Sequence, residues 1–387
     1  MSTNPLIELA QLGQSIWYDN IERKLIESGE LRRLIEEDGL RGVTSNPAIF
    51  EKAISNSDLY KDQLEELARQ GKTAVEIYEA LAISDIQSAA DVLASVYEKT
   101  GGTDGFVSLE CSPLLAHDTA GTIDEACRLW RAVDRRNVMI KIPGTPEGMP
   151  AIEECIYEGV NINITLLFSL ESYEQTIEAY IRGLARRAAE GKPVDAISSV
   201  ASFFVSRIDT AVDRQLEQKI GESKSDEERA RLSALLGRAA IANAKMAYQK
   251  FKQVFHGEPF RELRKHGAQV QRPLWASTST KNPAYRDVYY VETLVAQETV
   301  NTLPPQTLAA FRDHGKARLT IEDDLDGERA RLEELEAAGI SLDEVTRNVL
   351  SDAVRLFIEP FEKLIASIET QRAEIVSRTR ATESAAD

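Results

Sequence analysis

Short runs of apolar residues alternate with longer amphipathic segments along most of the chain. Eight such runs are predicted to be strands: Ser15–Tyr18, Gly42–Ser45, Phe106–Leu109, Val138–Ile142, Ile162–Phe168, Ala196–Val205, Pro273–Ala276 and Val288–Val295. Most are rich in Val, Ile and Phe and lack alternating polar residues. That pattern is typical of strands that are buried on both faces of a parallel sheet.

The segments between these runs have helical spacing. Helices are predicted over Asp58–Arg69, Thr73–Lys99, Thr122–Ala132 and Glu171–Glu190, and Thr122 with Glu125 is expected to form a capping box. Strands that alternate with helices imply parallel pairing through crossover connections. Eight strands favour a (β/α)8 TIM barrel of the α/β class. A doubly wound open sheet is the alternative, although no G-x-G-x-x-G follows any run.

The region after the eighth run predicts additional C-terminal helices. We expect residues 1–370 to form a single barrel domain with charged insertions near 221–231 and 322–338. A long helix is predicted over roughly Leu342–Arg372, and residues 371–387 are expected to be a polar C-terminal tail, disordered from about Thr379.

Composition narrows the classes of protein that fit. The 387 residues carry a formal net charge of −17, which disfavours nucleic acid as a partner. The three cysteines, Cys111, Cys127 and Cys155, show no C-x-x-C spacing, so we expect neither disulfides nor a zinc site. The four histidines are scattered, which disfavours a His-centred metal site or a Ser-His-Asp triad. Neither a secretory signal nor a membrane span of about 20 apolar residues is evident, so we expect a cytoplasmic protein.

Reactive groups in (β/α)8 barrels lie at the carboxyl ends of the strands. The polar residues at those positions are therefore the candidates for chemistry, namely Asp19, Asn46, Glu110, Lys141, Asn163, Thr165, Ser202, Arg207, Ser277 and Lys281. An anionic substrate of so acidic a chain would need a local basic cluster, and Arg207 and Lys281 could supply it, or they could be ordinary surface cations.

Lys141 is the most unusual candidate, because apolar residues flank it on both sides in Val-Met-Ile-Lys-Ile-Pro. A lysine inside a barrel is costly when charged and unpaired, and burial favours the neutral amine, which can attack a carbonyl. A lysine in an ion pair is an equally good interpretation. Asp19 could take a substrate proton or could cap a helix that starts near Ile21. Glu110 could hold a proton-shuttling water or pair with a lysine, and Asn46 could cap the helix that begins at Pro47.

Three segments resemble characteristic stretches of one family, the transaldolases. They are Gly42–Phe50, Val138–Gly148 (VMIKIPGTPEG) and Asn161–Ser169 (NINITLLFS). The resemblance runs from about Leu9 to Thr302, and the extra length beyond it is similar to the longer bacterial type.

This resemblance implies a (β/α)8 enzyme of the pentose phosphate pathway, a transferase of aldehyde and ketone residues that uses no metal or organic cofactor. It would transfer a dihydroxyacetone unit from sedoheptulose 7-phosphate to glyceraldehyde 3-phosphate, giving erythrose 4-phosphate and fructose 6-phosphate. Its partners would be small sugar phosphates, without nucleic acid or membrane, and the chain could be a monomer or a homodimer.

The resemblance also implies a role for each candidate. Lys141 matches the Schiff-base lysine, Asp19 the acid/base that deprotonates the C4 hydroxyl, and Glu110 with Thr165 the pair that holds a proton-relaying water. The remaining residues match positions that bind substrate, namely Asn46, Asn163, Ser202, Arg207, Ser277 and Lys281. The seventh strand departs from the shorter type, because no arginine follows its serine and Lys281 stands in that region instead.

Two other functions are weighed against this one. A fructose 6-phosphate aldolase would release free dihydroxyacetone, but those related enzymes are much shorter and have a different residue in place of Glu110. A catalytically silent barrel could serve as a scaffold, but the combination of Lys141, Asp19 and Glu110 argues against it.

Overall fold

A computed structural model describes residues 4–384, with side chains as far as Thr379. Eight parallel strands close into one barrel in chain order, and the eighth pairs with the first. The strands are β1 Gln14–Tyr18, β2 Gly42–Thr44, β3 Phe106–Glu110, β4 Val138–Pro143, β5 Ile162–Leu167, β6 Ser199–Phe204, β7 Arg272–Ala276 and β8 Thr299–Leu303. The predicted fold class is therefore confirmed.

Helices connect successive strands and surround the barrel. They are α1 Pro5–Gln11, α2 Arg23–Glu27, α3 Glu30–Asp38, α4 Pro47–Ser55, α5 Lys61–Arg69, α6 Ala74–Lys99, α7 Thr119–Val133, α8 Gly148–Glu158, α9 Leu170–Ala189, α10 Ser206–Glu222, α11 Asp226–Ser233, α12 Ala239–Phe255, α13 Arg261–Lys265, α14 Tyr289–Thr293, α15 Pro305–His314, α16 Leu325–Ala337 and α17 Leu342–Ser384. Short 3-10 turns occur at Asp58–Tyr60, Pro113–Leu115 and Glu258–Phe260. No helix within residues 4–384 combines the length and the apolar character that a bilayer crossing requires.

The predicted eighth strand is wrong. Val288–Val295 contains the short helix α14, and the strand follows at Thr299–Leu303. Its sequence, Thr-Val-Asn-Thr-Leu, lacks an apolar run because its polar side chains have partners inside the fold. Asn301 accepts a hydrogen bond from Thr278, and Thr302 shares one with Thr44. Buried polar groups that are paired in this way are tolerated in a core.

The predicted capping box at Thr122 is also wrong. Helix α7 begins one turn earlier, and Asp118 caps it by accepting from the backbone N–H of Gly121. Thr122 instead donates to the carbonyl of Leu115, and Glu125 accepts from the N–H of Ser112. The true capping box is formed by Thr73 and Glu76 at the start of α6.

The middle of the barrel is filled by side chains rather than left open as a pore. Trp17 is fully buried there, and its ring lies against Gly42 of the neighbouring strand. A Cβ atom added at Gly42 would stand 2.5 Å from the indole, so this position requires glycine. The packed centre separates the carboxyl-end mouth from the opposite end of the barrel.

The C-terminal helix α17 crosses the carboxyl-end mouth. It contacts α4, α5 and α6, which follow β2, and also α10, which follows β6 on the opposite side of the barrel. Phe361 of α17 packs edge-on against Tyr78 at 5.5 Å, and Phe357 reaches the cavity in the mouth. The helix continues to Ser384, past its predicted end at Arg372. Residues 371–384 are therefore helical where a polar tail was expected, and residues 385–387 lie outside the described part.

Candidate active site

Polar side chains from the ends of the strands converge on one cavity of about 140 Å³ at the barrel mouth. Eight of the ten candidates line it: Asp19, Asn46, Lys141, Thr165, Ser202, Arg207, Ser277 and Lys281. The other two, Glu110 and Asn163, lie behind this wall, and each hydrogen-bonds a residue that lines the cavity. The barrel thus brings together residues that are far apart along the chain.

Lys141 lies inside the barrel with its side chain only 6% exposed. The alternation of side chains along β4 turns Lys141 inward, because its neighbours Ile140 and Ile142 pack outward among buried apolar residues. The Lys141 Nζ atom donates to the backbone carbonyl of Ser45 at 2.8 Å and lies 3.3 Å from Oε2 of Glu110. The amine is therefore held by two acceptors while it faces the cavity.

Glu110 stands beside Lys141 because the two residues are register partners on β3 and β4. Burial raises the pKa of Glu110 from 4.5 to about 7, and the charge of Lys141 opposes this rise without cancelling it. A carboxyl group with such a pKa can both donate and accept a proton near neutral pH.

Asp19 directly follows β1, and its Oδ1 accepts a 2.7 Å hydrogen bond from the hydroxyl of Thr44. Part of its side chain reaches the cavity, yet the surrounding protein desolvates it and raises its pKa, against the lowering effects of Lys141, Thr44 and Lys281. The alternative interpretation as a helix cap is wrong, because Glu22 occupies the cap position of α2.

Asn46 does cap a helix, as its alternative interpretation predicted. Its Oδ1 accepts from the N–H of Ile49 at 3.0 Å, which fixes the amide group at the cavity edge. Asn163 is fully buried, donates to Ser108 and accepts from Ser202 at 2.7 Å. The Asn163 amide in the interior is therefore hydrogen-bonded to a hydroxyl that lines the cavity.

The Thr165 hydroxyl is buried and has no hydrogen-bond partner among the described residues. Buried hydroxyl groups are rarely left without a partner, so such a group at a cavity wall is suited to hold a water molecule or a ligand atom.

Two cations face the cavity and form no ion pair with a carboxylate in the described part of the chain. The guanidinium of Arg207, the second residue of α10, lies over the Phe204 ring at 5.8 Å and has neither a hydrogen bond nor an ion pair to any residue described. Burial lowers the pKa of the Arg207 guanidinium. Lys281 donates to Ser279 at 2.9 Å. Because the chain carries a net charge of −17, two cations without acidic partners mark a place for an anion.

Several residues at the cavity carried no usable signal in the sequence. Thr302 lies in β8, which the sequence pattern did not reveal, and Phe357 of α17 lies more than 50 residues beyond the end of that strand. Thr44 and Ser45 belong to the Gly42–Phe50 motif, but only the fold shows that they contact Asp19 and Lys141. Within the described residues, no three His, Cys, Asp or Glu side chains gather as a metal-binding group.

Comparison with known proteins points to one family. The sequence model of the transaldolase/fructose-6-phosphate aldolase family matches residues 16–368. A protein of Trichodesmium erythraeum named transaldolase is 48% identical over 371 residues, covering 95% of this chain and 98% of its own length. A Nostoc punctiforme protein named transaldolase 2 is 49% identical over 95% of this chain and 98% of its own. A Neisseria gonorrhoeae protein named transaldolase is 44% identical over 94% of this chain and 99% of its own length.

Proposed function

The chain belongs to the transaldolase/fructose-6-phosphate aldolase family, and we propose that it transfers a dihydroxyacetone unit between sugar phosphates through a Schiff base on Lys141. One observation carries the assignment of the residue: a buried lysine faces a cavity beside Glu110 and within the electrostatic reach of Asp19. This arrangement supplies a nucleophile and two carboxyl groups with raised pKa values at one place.

The first step is attack by the Lys141 amine on the ketone of the donor. The carbinolamine must lose water, which requires a proton on the departing hydroxyl. Glu110 can supply this proton, because its pKa of about 7 keeps part of the population protonated. The unpartnered hydroxyl of Thr165 is placed to hold the relaying water molecule.

The iminium then acts as an electron sink for cleavage of the C3–C4 bond. Asp19 takes the proton of the C4 hydroxyl, and the electrons of the broken bond flow into an enamine on Lys141. The raised pKa of Asp19 makes it a stronger base than an exposed aspartate, while Thr44 holds its orientation. Asn46 and Ser202 line the cavity and can bind the hydroxyls of the retained three-carbon unit.

Arg207 and Lys281 are assigned to the phosphate of the aldose phosphate that leaves and of the one that enters. Neither forms an ion pair with a carboxylate among the described residues, so an incoming phosphate does not have to displace one there. Their position relative to Lys141 would favour sugars of a suitable length. The substrates proposed are sedoheptulose 7-phosphate and glyceraldehyde 3-phosphate, in the pentose phosphate pathway of the cytoplasm.

Reductive trapping tests this proposal. The protein is incubated with fructose 6-phosphate and borohydride, and the labelled peptide is identified by mass spectrometry. We expect the adduct on Lys141 and its loss in Lys141→Met. Lys245 is an internal control, since it is equally buried but pairs with Glu328 away from the cavity. Labelling of Lys245 instead, or no labelling, contradicts the assignment, and no labelling would support a silent scaffold.

The family also includes fructose 6-phosphate aldolases, which gives a second candidate function. Such an enzyme would release dihydroxyacetone from fructose 6-phosphate without an acceptor. We expect turnover to require an acceptor aldehyde, because the enamine stays covalently bonded to Lys141 while Asn46 and Ser202 of the cavity wall can bind its hydroxyls. Sustained acceptor-free release of dihydroxyacetone, measured with a coupled dehydrogenase, would favour the aldolase.

A further inference from the structure

The two cations assigned to the substrate phosphate lie on different segments of the chain. Arg207 is fixed near the start of α10, directly after β6. Lys281 lies in residues 277–288, the connection from β7 to α14, which we call the Lys281 loop and which has no helix or strand of its own. The separation of the two cations therefore depends on what holds this loop against α10.

The start of the Lys281 loop is fixed by two serines. Ser277 has a φ of 56°, in the left-handed region that non-glycine residues rarely adopt. Its carbonyl accepts from the N–H of Ser206 at 3.0 Å, and the two hydroxyls share a 2.9 Å hydrogen bond. Because Ser206 is the first residue of α10, the loop leaves β7 in contact with the helix that carries Arg207.

The far part of the loop is held by a buried carboxylate. Tyr285 donates its hydroxyl to Oδ2 of Asp213 at 2.7 Å, and Oδ1 of Asp213 accepts from the N–H of Gly237 at 2.8 Å. Gly237 has a φ of +68°, and a Cβ atom there would stand 2.6 Å from the Tyr285 ring. The glycine therefore gives the tyrosine room to reach the carboxylate.

This carboxylate is costly to bury without hydrogen bonds, so its two donors hold it in place. Asp213 is only 6% exposed and lies almost two turns along α10 from Arg207. One turn before Asp213, Asp209 accepts from the hydroxyl of Tyr290 at 2.8 Å and holds α14 in the same way. Lys281 itself is exposed, and among the described residues its ammonium bonds only to Ser279 in its own loop, so the anchored loop determines where that ammonium lies.

We propose that Asp213 and Tyr285 are positioning residues that set the place of Lys281 relative to Arg207, and thereby the place of the substrate phosphate. This inference rests on the proposed function. Helix α10 would then have two roles. Its start supplies the cation Arg207, and Asp213 in its middle positions the second cation, Lys281, through Tyr285.

Steady-state kinetics with two acceptors tests the inference. Transfer from sedoheptulose 7-phosphate at saturating concentration is followed by the release of erythrose 4-phosphate, with glyceraldehyde 3-phosphate or unphosphorylated glyceraldehyde as the acceptor, using the full chain with Tyr285→Phe. We expect KM for the phosphorylated acceptor to rise about tenfold, as for the loss of one hydrogen bond to a charged group. We expect kcat and the KM for glyceraldehyde to stay within about twofold, because the donor is saturating and glyceraldehyde has no phosphate to contact. Asp213→Asn is the second variant if the first folds poorly.

Two further variants make the result decisive. Tyr180→Phe removes a comparable buried hydroxyl, which donates to the carbonyl of Gln269 far from the loop, and should change neither KM. Combining Tyr285→Phe with Lys281→Met should add nothing to Lys281→Met alone, since the tyrosine acts through the lysine.

Equal losses for both acceptors, or additive effects of the two substitutions, would overturn the inference. An unchanged KM in Lys281→Met would also overturn it while leaving transfer itself intact. Failure of reductive trapping on Lys141 would instead remove the proposed function.

Discussion

The raised pKa of Glu110 predicts that a single substitution changes how stability depends on pH. Glu110 is 9% exposed, and its pKa rises from 4.5 to about 7 chiefly because burial penalises its charge. Glu110→Gln keeps the shape and removes the titration. The pKa of about 7 already includes the effect of Lys141, whose charge lowers the pKa of Glu110.

The sign follows from proton binding. Between the two pKa values the folded protein holds the Glu110 proton while the unfolded chain releases it, so stability falls as the pH rises. The contribution is fully present below pH 4.5 and lost once the pH exceeds about 7. The whole change corresponds to about 3 kcal/mol, of which about 2 kcal/mol falls between pH 5.5 and 8.5.

Urea unfolding followed by far-UV circular dichroism measures this difference. We expect the stability of Glu110→Gln relative to the unmodified chain to increase by about 2 kcal/mol from pH 5.5 to pH 8.5. This pH range lies above the pI of about 4.9, and so avoids the pH at which the net charge of the protein is close to zero. Glu36→Gln, at an exposed residue of α3, controls for the loss of a carboxylate in general. If the difference in unfolding free energy between the two proteins does not change with pH, the inference that burial favours the neutral form of Glu110 is refuted.

Three further predictions concern cleavage, phosphate binding and the barrel interior. Asp19→Asn should still form the Lys141 adduct but not cleave the donor, so trapped enzyme with the intact sugar should accumulate by mass spectrometry while turnover falls about 10³-fold. Arg207→Ala should raise KM for glyceraldehyde 3-phosphate by about 10–100-fold and leave KM for glyceraldehyde nearly unchanged, as measured by the steady-state kinetics with two acceptors. Gly42→Ala should lower the free energy of unfolding by at least about 2 kcal/mol in urea, because its methyl group collides with the buried Trp17.

The first seven strands could be predicted because their sequences record burial on both faces. Val138–Pro143 and Ile162–Leu167 are nearly continuous apolar runs, as strands covered by helices and filled inside should be. The same geometry predicted that the polar residues at the strand ends lie together, since these ends meet at one mouth. The eighth strand could not be recognised, because the partners of Asn301 and Thr302 are contributed by Thr278 and Thr44 from other parts of the chain. The position of α17 could not be predicted either. The periodicity of its apolar residues shows that one face of the helix is buried, but not which part of the barrel that face packs against.

Structural and functional interpretations of one residue turn out not to exclude each other. Asn46 caps α4 with its carbonyl oxygen, and this bond leaves the amide hydrogens for the cavity. Lys141 takes part in an ion pair, yet the same contact holds its amine beside Glu110, the carboxyl group that we propose protonates a carbinolamine. Each polar side chain has more bonding groups than one role uses, so the structural bond fixes the orientation that chemistry requires. Sequence position identifies such a residue, but only atomic contacts reveal which of its groups remains free to react.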